Sequence, residues 1–89
     1  MNVTINSQVL AAALRTLVKI VPNKPAIQIL SHVYVEAGDQ LTMRVTDLEV
    51  ALTSRCAAEV LMPGTVALPA AKFLAFVEQF PDDDVSIGV

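Results

Sequence analysis

The chain has 89 residues, of which 54% are hydrophobic and only 17% are charged, and its formal net charge is −3. This composition excludes intrinsic disorder, and the length fits one domain or part of one. The longest unbroken apolar run, Val9–Leu14, is far shorter than the roughly 18 residues of a membrane span. We therefore expect no membrane partner. A single cysteine excludes an intrachain disulfide and fits a reducing compartment, so we expect a cytoplasmic protein.

The charges are unevenly distributed. Residues 1–35 carry three basic side chains and no acidic one, whereas residues 36–89 carry all nine acidic side chains. Such asymmetry is typical of a basic face on an acidic body, although an ordinary solvated helix face also explains it. The three basic residues are Arg15, Lys19 and Lys24.

The first elements are a strand and a helix. Alternation of Val3 and Ile5 predicts a half-buried strand over Asn2–Asn6, after which Asn6 or Ser7 caps a helix. The helix ends at Pro22, and the Pro22–Pro25 segment forms a rigid turn. Its predicted core stripe is Leu10, Ala13, Leu14, Leu17, Val18 and Val21, and its predicted polar side is Gln8, Ala12, Arg15 and Lys19.

Three antiparallel strands follow, each covered on one face. The turn at Gly38–Asp39 separates the first two, and a reversal of the alternation at Thr46–Asp47 indicates a turn or bulge before the third. The inward residues are Ile27, Ile29, Val33 and Val35 in the first strand, Leu41, Met43 and Val45 in the second, and Leu48, Val50, Leu52, Cys56, Ala58 and Val60 in the third.

A second strand–helix unit occupies the rest of the chain. A turn at Met62–Gly64 leads to a short strand over Thr65–Leu68, and Pro69 begins a helix over Ala70–Phe80 with Phe73, Leu74, Val77 and Phe80 as its core stripe. An exposed loop at Asp82–Asp84 precedes a strand with Val85, Ile87 and Val89. Two strand–helix–proline units hint at an internal duplication. The apolar last strand indicates a truncated domain or an edge completed by another chain.

The inventory of reactive side chains predicts no catalytic, metal or cofactor site. His32 fits a surface or half-buried position, and Cys56 fits a buried structural thiol. Zinc would need about four ligands, and the glycines are isolated rather than grouped into a phosphate loop. One alternative is a metal-dependent enzyme, because Asp47 and Glu49 project on one face of a strand. An ordinary solvated sheet face explains them as well.

Several motifs occur in an order that resembles a known family. They are the opening strand and helix, Ile29-Leu30 after a basic turn, Thr46-Asp47-Leu48-Glu49, and Pro63-Gly64 followed by Pro69-Ala70-Ala71-Lys72-Phe73. Together they resemble the N-terminal domain of the bacterial DNA sliding clamp, the beta subunit of DNA polymerase III, from end to end of the chain. Gln28, Val45 and Ala71 depart from the family pattern, and Ala71 removes one basic contact.

The resemblance implies an α+β sliding-clamp fold, with antiparallel sheets outside and two helices on the inner face. It implies an incomplete N-terminal clamp domain over residues 1–89 that lacks its final strands. The expected function is that of a non-catalytic processivity factor, a ring homodimer that encircles duplex DNA without sequence preference. DNA polymerase III and the clamp loader would bind mostly outside this chain. A stand-alone oligomerisation module with the same fold is the alternative.

The resemblance also assigns two surfaces. Arg15, Lys19 and Lys24 are expected to face DNA, where weak phosphate attraction suits a protein that slides. Lys72, Phe76 and Phe80 are expected at the subunit interface. Their i, i+4, i+8 spacing places them along one line of the second helix, and Phe76 lies off the predicted core stripe.

Overall fold

The computed structural model describes residues 1–21, 31–47 and 49–89. The predicted turn at Pro22–Pro25, and with it Lys24, Ile27, Gln28, Ile29 and Leu48, lies outside these residues. Within them the elements are β1 (Asn2–Asn6), α1 (Ser7–Val18), β2 (His32–Ala37), β3 (Leu41–Thr46), β4 (Ala51–Cys56), β5 (Glu59–Met62), β6 (Gly64–Pro69), α2 (Ala70–Val77) and β7 (Asp84–Gly88).

The strands form two antiparallel sheets. One has three strands in the order β5-β1-β7, and the other has four in the order β4-β3-β2-β6. Each sheet therefore contains strands from both the N-terminal and the C-terminal half of the chain. β1, which leads into α1, pairs with β7, whereas β6, which leads into α2, pairs with β2. The predicted antiparallel α+β architecture is confirmed.

Both sheets and both helices contribute to one hydrophobic core. Val3 and Ile5 point into it from β1, as their alternation predicts, and Val33 and Val35 do so from β2. The core side of α1 agrees with the predicted stripe, since three of its leucines are at most 2% exposed. Ala11, which the stripe did not include, is also buried. The buried leucines of α1 are Leu10, Leu14 and Leu17.

Two hairpins shape the larger sheet at the predicted positions. The first closes at Gly38, whose N–H donates to the carbonyl of Gln40 over 3.1 Å, and it connects β2 to β3. The second closes where the Asp47 N–H donates to the carbonyl of Val50 over 3.1 Å. Because this tight turn reverses the chain, the inward residues change phase there, as the sequence indicates. The inward residues of β3 are Leu41, Met43 and Val45, as predicted.

The predicted third strand is wrong in two respects. Val50 is 51% exposed, because it lies in the turn and its backbone rather than its side chain is engaged. The strand also divides into β4 and β5, which belong to different sheets. The alternation of Cys56, Ala58 and Val60 continues across the division. Both sheets bury the same side of the chain, so the sequence pattern does not reveal the change of partner.

The second helix and the last strand are shorter than predicted. α2 ends at Val77, with Glu78 as its C-cap. Phe80 lies in the turn that follows, and its N–H donates to the carbonyl of Val77. In β7, Val85 is buried, but Val89 lies beyond the strand and is 74% exposed. None of the helices in the described part of the chain is long and apolar enough to span a membrane.

Candidate functional site

The polar side of α1 is the first candidate surface. Arg15 and Lys19 are exposed, Arg15 in the last turn of the helix and Lys19 at its C-cap. Asn6 begins the helix, because its side-chain oxygen accepts hydrogen bonds from the backbone N–H groups of Gln8 and Val9 over 2.9 and 3.2 Å. This cap satisfies two of the N–H groups that every helix start leaves without a partner.

Arg15 does not stand free on this surface. Its Nε and one terminal nitrogen both donate to the same carboxylate oxygen of Glu78, over 3.3 and 3.2 Å. Among the residues that the structure describes, this is the only ion pair. A groove of about 410 Å³ lies between α1 and the end of α2, and both members of the pair line it, together with Gln8 and Phe80.

The start of α1 is attached to the segment that follows α2. The Asn6 side-chain amide donates to the Asp82 carboxylate over 3.0 Å, and the Gln8 amide donates to the Pro81 carbonyl over 3.1 Å. These contacts join residues more than 70 positions apart and fix the position of α1 relative to α2. The helix pair therefore presents a defined surface.

The exposed side of α2 is the second candidate surface. Phe76 is 59% exposed, and its ring meets the ring of Phe80 edge to face, with the centroids 5.7 Å apart. Phe80 is half-buried and Lys72 is exposed on the same helix. The structure thus brings the two aromatic residues of the predicted interface together. Val77, the next residue along the helix, is 1% exposed and anchors α2 in the core.

Asp47 has a structural role that accounts for its carboxylate. One oxygen accepts hydrogen bonds from the N–H groups of Val50 and Glu49, over 2.8 and 3.0 Å. These two bonds lower the pKa of the Asp47 carboxyl below its ordinary value, because they favour the charged form, and the bond from Val50 has the larger effect. Across the described ranges, no group of three or more His, Cys, Asp and Glu residues is arranged to hold a metal ion.

The two other reactive side chains lie where the sequence predicts. Cys56 is a buried free thiol at 7% exposure. His32 is half-buried, and its Nδ1 lies 3.1 Å from the hydroxyl of the neighbouring Ser31. Cys56 pairs with Leu41, at the opposite end of the β3–β4 hairpin from Asp47, whereas His32 lies at the same end of the sheet as Thr46 and lines a pocket with it.

Sequence reasoning missed the acidic residues beside α1. The Asp82–Asp84 segment is exposed, as predicted, yet Asp82 and Asp83 hold the start of α1. No local pattern indicates a contact between residues so distant in sequence. The contact of Glu78 with a cation could have been predicted from the sequence by one feature. A carboxylate at the C-terminal end of a helix is unfavourable, so its presence there suggests a nearby cation.

Comparison with known proteins gives the relationships of the chain. The family model of the DNA polymerase III beta subunit, N-terminal domain, matches residues 1–89. The beta sliding clamp of Caulobacter vibrioides is 33% identical over 90 aligned positions, which cover 99% of this chain and 24% of that protein. The chain therefore spans about a quarter of the length of this relative.

Solved structures agree with the sequence comparisons. The DNA polymerase III beta structure from Caulobacter crescentus superposes with a TM-score of 0.93 at 32% identity, over 99% of this chain and 24% of the other. A beta clamp from Helicobacter pylori, solved with a DNA ligase peptide bound, shares the fold with a TM-score of 0.93 at 23% identity, over 100% of this chain and 25% of the other. The chain belongs to the family of the DNA polymerase III beta subunit N-terminal domain, that of the bacterial beta sliding clamps.

Proposed function

We propose that this chain serves DNA replication as the N-terminal part of a ring that encircles duplex DNA and keeps a polymerase on its template. The observation that carries the proposal is the match of residues 1–89 to the clamp domain family. The ring has no active site of its own and acts in the cytoplasm. A stand-alone oligomerisation module is not favoured, because the relatives found are sliding clamps.

The DNA-facing surface is the polar side of α1. Arg15 and Lys19 are exposed there, and Lys24 follows in the sequence. A ring held on DNA by encirclement needs only weak attraction to phosphates, since strong attraction would slow sliding. A few cations on a protein of net charge −3 supply an attraction of that kind, without contacts that read the bases.

The subunit interface includes the exposed side of α2, with Lys72, Phe76 and Phe80. A phenylalanine with 59% of its surface exposed contributes little to the fold of a single chain. Buried aromatic side chains contribute much of the free energy of association at protein interfaces. A second subunit that covers Phe76 would therefore gain an anchor, and its acidic side chains would pair with Lys72.

β7 pairs with β1 along one edge, and in the described part of the chain no strand lies along its other edge. A further strand of a clamp domain would pair along this edge. DNA polymerase III, the clamp loader and peptide partners of the kind bound to the Helicobacter pylori clamp would bind mostly to regions outside this chain.

The experiment is a test of encirclement. The full-length ring carrying this chain is loaded onto a nicked circular plasmid and separated from free protein by gel filtration, before and after the plasmid is cut once. We expect the ring to remain on the circle and to leave the linear DNA, because only topology retains it. Equal retention on both forms would contradict the proposal, since it would mean that contacts hold the protein.

A further inference from the structure

The pair of Arg15 and Glu78 joins the two helices at their exposed surface. The side chains are 57% and 44% exposed, so both remain in contact with water. Both hydrogen bonds from the guanidinium go to a single carboxylate oxygen, which leaves the other donors of Arg15 and the second oxygen of Glu78 outside this contact. The contact is therefore an exposed ion pair of the kind that opens readily.

Glu78 occupies a position that is unfavourable for an acid. It is the C-cap of α2, where the helix dipole places partial negative charge, and the last turn of α2 contains no basic residue. Arg15 offsets this arrangement from the neighbouring helix. Lys19, by contrast, has no carboxylate within ion-pair distance among residues 1–21, 31–47 and 49–89. The two cations of the α1 surface thus differ in their availability.

We propose that Glu78 competes with DNA phosphate for the guanidinium of Arg15 and so sets the strength with which this surface attracts the duplex. The inference rests on the proposed function. A phosphate that takes the paired N–H groups of Arg15 must displace the carboxylate of Glu78, and one that binds the remaining N–H groups meets the negative charge of that carboxylate, so in either case the pair reduces the attraction. Because exposed pairs are weak, Glu78 attenuates the contact without abolishing it. Weak attachment is what a sliding protein requires.

The first measurement needs no DNA. In NMR spectra of the ¹⁵N-labelled 89-residue chain, the Nε–H signal of Arg15 reports its hydrogen bond to Glu78. We expect Glu78→Gln to move this signal and to speed its exchange with water. Glu36→Gln is the matched control, because it removes the same charge from the exposed face of β2, opposite the core, and it should leave the signal in place. An Arg15 signal unchanged by Glu78→Gln would overturn the inference.

The second measurement titrates the chain with a short DNA duplex at low ionic strength, followed by backbone chemical shifts. We expect Glu78→Gln to strengthen binding by about twofold to fivefold, the equilibrium effect of losing an exposed pair. Glu36→Gln should strengthen it less. In the Arg15→Gln background the effect of Glu78→Gln should fall to that of the control, because the competition acts through Arg15.

The outcomes separate this inference from the proposed function. If Arg15→Gln weakens duplex binding but Glu78→Gln matches Glu36→Gln, the DNA-facing surface stands and the competition is wrong. The competition is equally wrong if Glu78→Gln retains its full effect without Arg15, since general electrostatics would then account for it. If Arg15→Gln leaves duplex binding unchanged, Arg15 does not face DNA and the competition is wrong, whereas the function of the ring stands or falls with the separate test of encirclement.

Discussion

Ser7 and Asp83 exchange hydrogen bonds in both directions. The Ser7 N–H donates to the Asp83 carbonyl over 2.7 Å, and the Asp83 N–H donates to the Ser7 hydroxyl oxygen over 3.1 Å. Ser7 is the first residue of α1 and is 1% exposed, so it is a polar side chain buried in the region where the two helices and β7 meet. The reciprocal pair fixes α1 to the segment that begins β7.

Removal of this hydroxyl is expected to destabilise the fold. Ser7→Ala deletes the acceptor of the Asp83 N–H, and we expect a loss of about 1 kcal/mol in the free energy of unfolding. Urea denaturation followed by circular dichroism measures it. The control is Ser86→Ala, whose hydroxyl makes an exposed contact of 3.2 Å with Thr4 and should contribute less than about 0.5 kcal/mol. Equal losses in the two variants would show that the buried bond to the Ser7 hydroxyl contributes no more stability than the exposed contact of Ser86.

The turn between β3 and β4 is expected to depend on pH through Asp47. Its pKa is lowered below the ordinary 3.8, so the charged carboxylate contributes stability that is present above this value and is lost as the pH falls through the folded pKa. Asp47→Asn keeps an oxygen acceptor but does not ionise, so this part of the pH dependence should disappear. Thermal unfolding across the acid range measures it, with Asp39→Asn in the other hairpin turn as control. Identical profiles for the two variants would contradict the assignment.

Gly64 is expected to tolerate no side chain. A β-carbon at this position would lie 2.9 Å from the β-carbon and 3.1 Å from the α-carbon of Met1, which is itself buried. We expect Gly64→Ala to cost about 1–3 kcal/mol through overpacking. Gly38→Ala is the control, because nothing lies within 4 Å of its added carbon, and it should be neutral or slightly stabilising. Urea denaturation compares them, and a neutral Gly64→Ala would refute the close approach of Met1.

The α2 surface predicts a change in association with little change in fold. Phe76→Ala combined with Lys72→Glu should leave the 89-residue chain folded, because both side chains are exposed. In the assembled ring we expect the dimer Kd to rise about 30-fold or more, as is usual for loss of an aromatic anchor. Sedimentation velocity measures it, with Val50→Ala as a control at another apolar residue that is more than half exposed. An unchanged Kd would remove α2 from the interface.

The α1 surface predicts a particular salt dependence in the ring. Arg15→Gln with Lys19→Gln should weaken the equilibrium binding of the ring to a short linear duplex, where topology cannot retain it, and should flatten the salt dependence of that binding by about 0.9 in logarithmic slope for each lost phosphate contact. Addition of Lys24→Gln should weaken the binding further and flatten its salt dependence further. The control pair is Arg44→Gln with Arg55→Gln, which removes the same charge from the outward faces of β3 and β4. If both pairs act alike, net charge rather than the α1 surface attracts the DNA.

The isolated chain should bind DNA poorly. Without a ring to close around the duplex, only weak contacts remain, and we expect a Kd weaker than about 1 µM for a short duplex at physiological salt. Fluorescence anisotropy of a labelled duplex measures it. Tighter binding would mean that contacts, and not encirclement, account for attachment.

Local patterns in the sequence predict the individual elements well. Alternation located β1 and the inward faces of β2 and β3, and the spacing of leucines located the core side of α1. The turn residues Gly38–Asp39 located the first hairpin of the larger sheet, and the reversal of the alternation at Thr46–Asp47 located the second. These features depend on neighbours within a few residues, and the sequence contains that information directly.

Partners distant in sequence were not predictable. The transfer of the chain from β4 to β5 leaves the alternation unbroken, so the change of sheet is invisible in the pattern. Glu78 meets Arg15, and Asp83 meets Ser7, across more than 60 residues. In each case charge or polarity marks a residue as able to pair, whereas only the packing of α2 beside α1 decides with which residue it pairs.

The central place of β1 in its sheet makes the beginning of the chain a structural necessity. β1 is the middle strand of three, with β5 on one side and β7 on the other. The first few residues of most domains fray because little holds them. Here their departure would separate β5 from β7 and open the core at Val3 and Ile5. Proteolytic removal of these residues would therefore disrupt the whole three-stranded sheet. Any protein fused ahead of Met1 must leave β1 in its position between β5 and β7.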